Sequence, residues 1–172
     1  DSYGEPNNYG GAMNSPHSTQ WQAAMDEEFV SMDRNHTWTP FLKSSLPKGT
    51  RIIDSTWIFR LKTNPDGSDR FRARLVARGF KDPNLYDVSE IYAPVADVND
   101  IRAVLAYSNK FDYDMRQLDI SVAFLNGVLE KPVYMTFPKG LDIDETTRKT
   151  KVLQLFRSLY GLKVSPKRWF EC

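Results

Sequence analysis

The segment Gln117-Leu118-Asp119-Ile120-Ser121-Val122-Ala123-Phe124-Leu125-Asn126-Gly127 sets one carboxylate at the end of an apolar run, just ahead of a compact turn. A carboxylate so placed could ligate a hard cation such as Mg²⁺, which takes oxygen ligands, because a strand end fixes a side chain better than a loop does. The same Asp119 could equally form a turn or cap a helix. A second group of residues could bind anions. Arg60, Lys62, Arg70, Arg72 and Arg74 alternate with apolar residues on either side of Asn64-Pro65-Asp66-Gly67, and that spacing places cations on one face of a ribbon.

The element that must carry those cations is a β-hairpin over residues 56–79, two alternating strands around a Pro-Asp-Gly turn. Gly67 accepts the left-handed conformation that closes a three-residue loop. With Asn64 opposite Ser68, Lys62 faces Arg70, Arg60 faces Arg72 and Ile58 faces Arg74, while Trp57, Phe59, Leu61, Phe71, Ala73, Leu75 and Ala77 share the other side. Like charges directly opposite destabilise a ribbon by a few tenths to about 1 kcal/mol per pair, so packing alone explains this face poorly. A polyanion would relieve the repulsion. A merely solvated face is the alternative.

The carboxylate needs other supports. Residues 114–120 read as a central strand, 121–127 as a turn or short helix, and 133–137 and 152–156 as two further strands. Trp21, Met25, Phe29 and Met32 form one stripe of a helix from about Ser18 to Arg34, with Thr19 and Gln22 able to form a capping box. A second helix is predicted over 97–109, with Asp97 as its N-cap and Val98, Ile101, Val104 and Leu105 facing inward. Ser165 opens a last helix with Pro166 in its first turn. Residues 1–14, rich in Gly, Asn, Ser and Tyr, read as a flexible arm, and Asp142 to Lys151 as a loop.

Composition narrows the class. The 172 residues are 41% hydrophobic and 13% aromatic, enough for one packed α+β domain. The single cysteine is Cys172 and the two histidines are His17 and His36, an inventory that builds neither a disulfide framework nor a Cys/His zinc site. Neither a secretory signal nor a long apolar span is evident, so an intracellular, non-membrane protein is expected. The net charge of +1 hides segregation: residues 51–81 carry 8 basic against 3 acidic side chains, 82–145 carry 5 against 12, and 146–172 carry 7 against 1. Basic blocks flanking an acidic middle suit a protein that grips phosphates with one part and holds cations with another, though an ordinary salt-bridged surface has the same composition.

Several segments in series resemble one family. Trp57-Ile58-Phe59-Arg60-Leu61-Lys62, Arg72-Ala73-Arg74-Leu75-Val76-Ala77-Arg78-Gly79-Phe80, Ala93-Pro94-Val95, the Leu118-Asp119 to Gly127 run, and Ser158-Leu159-Tyr160-Gly161-Leu162-Lys163 with Ser165-Pro166 and Trp169 are similar, in that order, to the reverse transcriptase of copia-type LTR retrotransposons. The likeness runs from Trp21 to the end. It implies the fingers (about 37–95) and the start of the palm (about 96–172) of a right-hand polymerase fold, one incomplete domain over 15–172. The implied activity is RNA-directed DNA synthesis: two-metal phosphoryl transfer adding dNTPs to a primer on an RNA or DNA template. A cytoplasmic virus-like particle is the implied setting, and the rest of the polymerase with its ribonuclease H region the implied neighbours in a Gag-Pol polyprotein.

By the same resemblance Asp119 is a catalytic metal ligand, and Ile120 and Ser121 lie close to the triphosphate. Phe124 is the bulky ring that collides with a ribose 2′-hydroxyl. Arg72, Arg74 and Lys62 clasp the nucleotide, and Tyr160 and Gly161 lie beneath the nascent base pair. Arg60, Arg70, Arg78 and Lys163 are placed on the nucleic-acid backbone. Two departures stand out. Val164 occupies the position where the family pattern has Gln, and the Tyr-x-Asp-Asp turn that carries the remaining carboxylates is not in the sequence. One aspartate does not make a two-metal site, so this polypeptide alone is expected to be inactive. A decayed or domesticated nucleic-acid-binding protein without turnover is the alternative reading.

Overall fold

A computed structural model describes residues 4–82 and 84–172. Strands β3 (Ser55–Thr63) and β4 (Asp69–Ala77) form the predicted hairpin in the predicted register, with Lys62 opposite Arg70, Arg60 opposite Arg72 and Ile58 opposite Arg74. Its turn closes as the residue types require: the Asn64 N–H donates to the Ser68 carbonyl at 2.8 Å, and Gly67 takes φ +84°. Trp57, Phe59, Ala73, Leu75 and Ala77 are buried, whereas Arg60, Lys62 and Arg70 are exposed.

Helix α2 (Ser18–Arg34) covers the apolar side of this ribbon. Trp21 meets Phe59 and Phe71 edge-on at 5.2 and 4.7 Å between centroids, and Phe29 meets Trp57 at 5.2 Å. Such tilted ring pairs add roughly 0.5–1.5 kcal/mol each beyond area burial. The expected Thr19–Gln22 capping box does not form. The N-cap is His17, without a side-chain cap bond, and Gln22 Nε2 donates to Asp26 at 2.8 Å instead.

A second sheet has strand order β1 (Trp38–Leu42), β6 (Lys151–Arg157), β5 (Val128–Met135) and β2 (Ile52–Ile53), the last pair parallel and the others antiparallel. Ile53, Met135, Leu153, Leu155 and Leu159 join Trp21, Met25 and the hairpin in one core cluster. The fold is therefore α+β, as expected. Helix α6 (Ser165–Phe170) begins where Pro166 permits. The 142–151 stretch, expected as a loop, contains the short helix α5 (Glu145–Thr150), whose N-cap Asp144 accepts from the Thr147 N–H at 2.8 Å.

The stretch expected to be a loose arm holds helix α1 (Tyr9–Met13), capped by Asn8 and anchored by the buried Ala12; residues 1–3 lie outside the described ones. A short helix α3 (Val88–Ile91) follows the hairpin. Helix α4 (Val98–Lys110) forms with the predicted Asp97 cap, but Val98, Ile101, Val104 and Leu105 are 55, 50, 62 and 48% exposed rather than inward. The expected strand over 114–120 is likewise irregular and exposed. With Tyr107, Phe111, Tyr113, Met115 and Leu118 also exposed, the apolar surface here exceeds what scattered surface residues explain. The chain is therefore expected to self-associate through this face, and Val104→Glu with Leu105→Glu should weaken that association at least tenfold in sedimentation velocity, since burying two such side chains is worth about 3 kcal/mol or more. Unchanged association would mean that other surfaces make the contact.

Candidate functional site

Strand β4 of the hairpin meets the chain at Ser121 and Val122, just beyond Asp119. Arg70, Phe71, Arg72 and Ala73 line an open cavity of about 180 Å³ with Ser121 and Val122, and Ala24, Glu27, Glu28 and Ser31 of α2 line it too. Val122 turns the chain there. It sits at φ +48°, ψ +37°, a left-handed conformation that a β-branched residue adopts only when its surroundings impose it, at a cost of roughly 1–3 kcal/mol. The turn leads into the 3₁₀ segment Ala123–Asn126, so the short helix expected at 121–127 is present in that form.

Phe124 in that segment meets the Tyr160 ring edge-on at 4.9 Å between centroids, and the Arg74 guanidinium carbon lies 5.2 Å from the centre of the same Tyr160 ring. Three residues singled out from the sequence thus form one cation–aromatic stack. Arg74 Nε is buried and, among the described residues, has no acceptor. A buried donor left so is unfavourable unless it meets an acceptor, which an anion would supply.

Backbone contacts hold the stack together. Val76 and Tyr160 form a parallel bridge, and the Ala77 N–H donates to the Tyr160 carbonyl at 2.8 Å. Gly161, at φ +89°, makes this approach possible: a Cβ there would fall 2.1 Å from the Ala77 oxygen, and one on Gly79 would fall 2.2 Å from the Gly161 oxygen. The resemblance places Gly161 beneath the nascent base pair, and its neighbours in the fold are Ala77 and Val76 of the hairpin.

Other expected site residues lie elsewhere. Asp119 and Ile120 are exposed on irregular chain. Among the described residues no cluster of three His, Cys, Asp or Glu could hold a metal ion, so Asp119 offers one oxygen-bearing group and not an octahedral cage. Lys62 is exposed near the hairpin tip, and Lys163 is exposed beyond the Gly161 turn. Arg78 is committed to Asp54, at 2.9 Å, whose carboxylate also takes Lys81 at 3.0 Å. Burial pushes the Asp54 carboxyl up, but these two cations outweigh it and leave it below the usual range.

Two glutamates that the sequence reading did not single out touch the hairpin. Glu28 Oε1 accepts from the Leu75 N–H at 3.3 Å, and burial raises its carboxyl above the ordinary range against the opposing pull of that bond, Arg72 and Arg74. Its position was a usable signal, because a charged residue three after Met25 and seven after Trp21 sits on the inward stripe of α2. Glu5 meets Arg60 and the Leu61 N–H.

Folded around a basic hairpin whose β4 meets the chain at Ser121 and Val122, the chain matches the profile of the family described as reverse transcriptase (RNA-dependent DNA polymerase) over residues 35–172. The chain belongs to that family, and within it to the copia-type group. It is 36% identical over 167 residues, 96% of its length, to the retrovirus-related Pol polyprotein from transposon TNT 1-94 of Nicotiana tabacum. It is 40% and 38% identical over 152 residues, 88% of its length, to those from transposons RE1 and RE2 of Arabidopsis thaliana. The chain spans only 10 to 12% of the length of these relatives. No solved structure matches it. Among the described residues no helix is long and apolar enough to cross a membrane.

Proposed function

We propose that this chain supplies the nucleotide-gripping part of an RNA-directed DNA polymerase within a retrotransposon Pol polyprotein, the fingers over about 37–95 and the first part of the palm over about 96–172. The observation that carries this reading is the convergence of Arg70 and Arg72 on the Ser121–Val122 turn, beside the Arg74–Tyr160–Phe124 stack. Arginines suit bidentate phosphate contacts, so Arg72 and Arg74 take the triphosphate of a dNTP and, when none is bound, the phosphates of a primer–template, with Lys62 as a point charge nearer the tip. Backbone at Ile120 and Ser121 lies along the same phosphates. Phe124, braced by Tyr160, excludes a 2′-hydroxyl by shape. Arg60, Arg70 and Lys163 meet the template or primer backbone, a contact without sequence preference. Arg78, paired with Asp54 in the free chain, would join that set by exchanging this carboxylate for a phosphate.

Asp119 would supply one oxygen ligand to a Mg²⁺ ion, whose charge would offset that of the phosphates. With a single carboxylate at the turn, the chain by itself should not incorporate nucleotides. That same observation favours the second reading, a binder of nucleic acid without turnover. Binding to a labelled RNA–DNA primer–template, followed by anisotropy as salt is raised, tests what both readings share. With about three to four phosphate contacts, the logarithm of the affinity should fall with the logarithm of salt at a slope near −3. Absence of binding at low salt, or binding indifferent to salt, would remove the basis of both. Incorporation of a labelled dNTP by the chain in Mg²⁺ or Mn²⁺ would eliminate the second reading.

A further inference from the structure

We propose that the Arg60 guanidinium and the Leu61 N–H on the outer edge of β3 form a phosphodiester site, and that Glu5 of the same chain occupies it until nucleic acid displaces the carboxylate. This rests on the nucleic-acid reading above and adds to it a built-in competitor. The geometry is two donors on two oxygens: the Leu61 N–H donates to Glu5 Oε1 at 3.0 Å and Arg60 Nη1 donates to Glu5 Oε2. A phosphodiester presents the same pair of oxygens to a guanidinium and a backbone amide.

Strand β3 pairs with β4 alone, so its other edge has N–H groups without strand partners, and Leu61 supplies one of them. Glu5 reaches that edge because the chain just after it is anchored. Asn8 Oδ1 caps α1 by accepting from the Gly11 N–H at 3.0 Å, and Ala12 is fully buried. A tether this short raises the local concentration of the carboxylate to roughly millimolar or above. The Leu61 N–H, and after it Arg60, hold the Glu5 carboxyl below its ordinary range, so it stays charged at neutral pH.

The latch is also weak enough to open. The Arg60–Glu5 pair is exposed, with the guanidinium side chain 60% accessible, and exposed pairs contribute little. One carboxylate neutralises one charge, whereas Arg60 and Lys62 face Arg72 and Arg70 across the ribbon. A polyphosphate chain satisfies several of these at once and outcompetes a single acid.

Glu5→Gln tests the latch against labelled oligouridylate RNA, with Asp142→Asn, an exposed acid, as a control of equal net charge. Glu5→Gln should bind roughly fivefold tighter at low salt, with a salt slope steeper by about 0.7, the increment for neutralising one more phosphate of a single strand. Asp142→Asn should stay within about twofold of the unaltered chain. In the Arg60→Ala background Glu5→Gln should bind no tighter than Arg60→Ala alone. The Leu61 amide resonance of the free chain should move as Glu5 titrates and stop moving in Glu5→Gln. If the unaltered chain binds RNA but Glu5→Gln matches Asp142→Asn, or its tighter binding survives without Arg60, the latch is wrong and the nucleic-acid reading stands. If no variant binds RNA at low salt, both fall together.

Discussion

Arg72→Glu combined with Arg74→Glu should lower the affinity of the chain for an RNA–DNA primer–template by about 100-fold at low salt. Two charge-assisted hydrogen bonds to phosphate at the low end of their range, about 1.5 kcal/mol each, give about 3 kcal/mol, and 1.4 kcal/mol is a factor of ten. Reversal rather than removal is chosen because it also adds repulsion toward the phosphates beside Arg70, which shares the cavity with Arg72. The salt slope should become shallower by about two units, roughly one for each phosphate no longer neutralised. Arg72→Lys with Arg74→Lys should recover part of the affinity but not all, since lysine keeps the charge and loses the fork. Anisotropy across a salt series reads every arm. Retention of full affinity by the double Glu variant would show that the hairpin face is not where nucleic acid binds. Because Arg74 also stacks on Tyr160, the thermal midpoint of each variant must be recorded beside its affinity.

Gly161→Ala should have the largest effect on stability, about 3 kcal/mol or roughly 10 °C in thermal midpoint. The left-handed backbone at φ +89° alone disfavours a side chain by about 1–2 kcal/mol. The rest comes from the Ala77 oxygen, 2.1 Å from where the new carbon would lie, which must move and so break the 2.8 Å bond between the Ala77 N–H and the Tyr160 carbonyl. Gly49→Ala is the matched control. That glycine is also left-handed, at φ +83°, but nothing lies within 4 Å of its added carbon, so it should show the conformational part only. Equal losses in the two variants would mean that the contact between hairpin and Tyr160 contributes nothing measurable.

The hairpin was legible down to its register because three local signals agreed: alternation of apolar and basic residues, a Pro-Asp-Gly turn, and the separation of Trp57, Phe59 and Leu75 from the arginines. Helix α2 was legible for the same reason, its stripe being strong enough to fix both ends. Failures came where position depends on distant partners. The run 114–120 has apolar residues enough for a strand, yet a strand needs a neighbour to take its hydrogen bonds, and the described residues provide none there. Helix α4 shows the same: the Asp97 cap is local and was correct, whereas which face is covered is not a local property. At the site, Arg72, Arg74, Phe124 and Tyr160 were identifiable from motif order, but their meeting in one stack depends on the Val76–Tyr160 bridge, which no spacing encodes. Glu5 escaped notice because a lone acid in a Gly- and Asn-rich stretch has no periodicity to mark it.

The bridge at Val76 and the packed pair Gly79 and Gly161 also decide how the hairpin can move. Clamped at that end and backed by α2 as far as Phe71, the ribbon is left to bend mainly beyond that ring. Its deflection should grow along the strands and be greatest at the Pro65–Asp66 tip, with Arg74 nearly stationary beside the clamp and Lys62 and Arg70 sweeping the widest arc. A ligand gripped near Arg74 would therefore meet a fixed wall, while the tip bends over it from the open side.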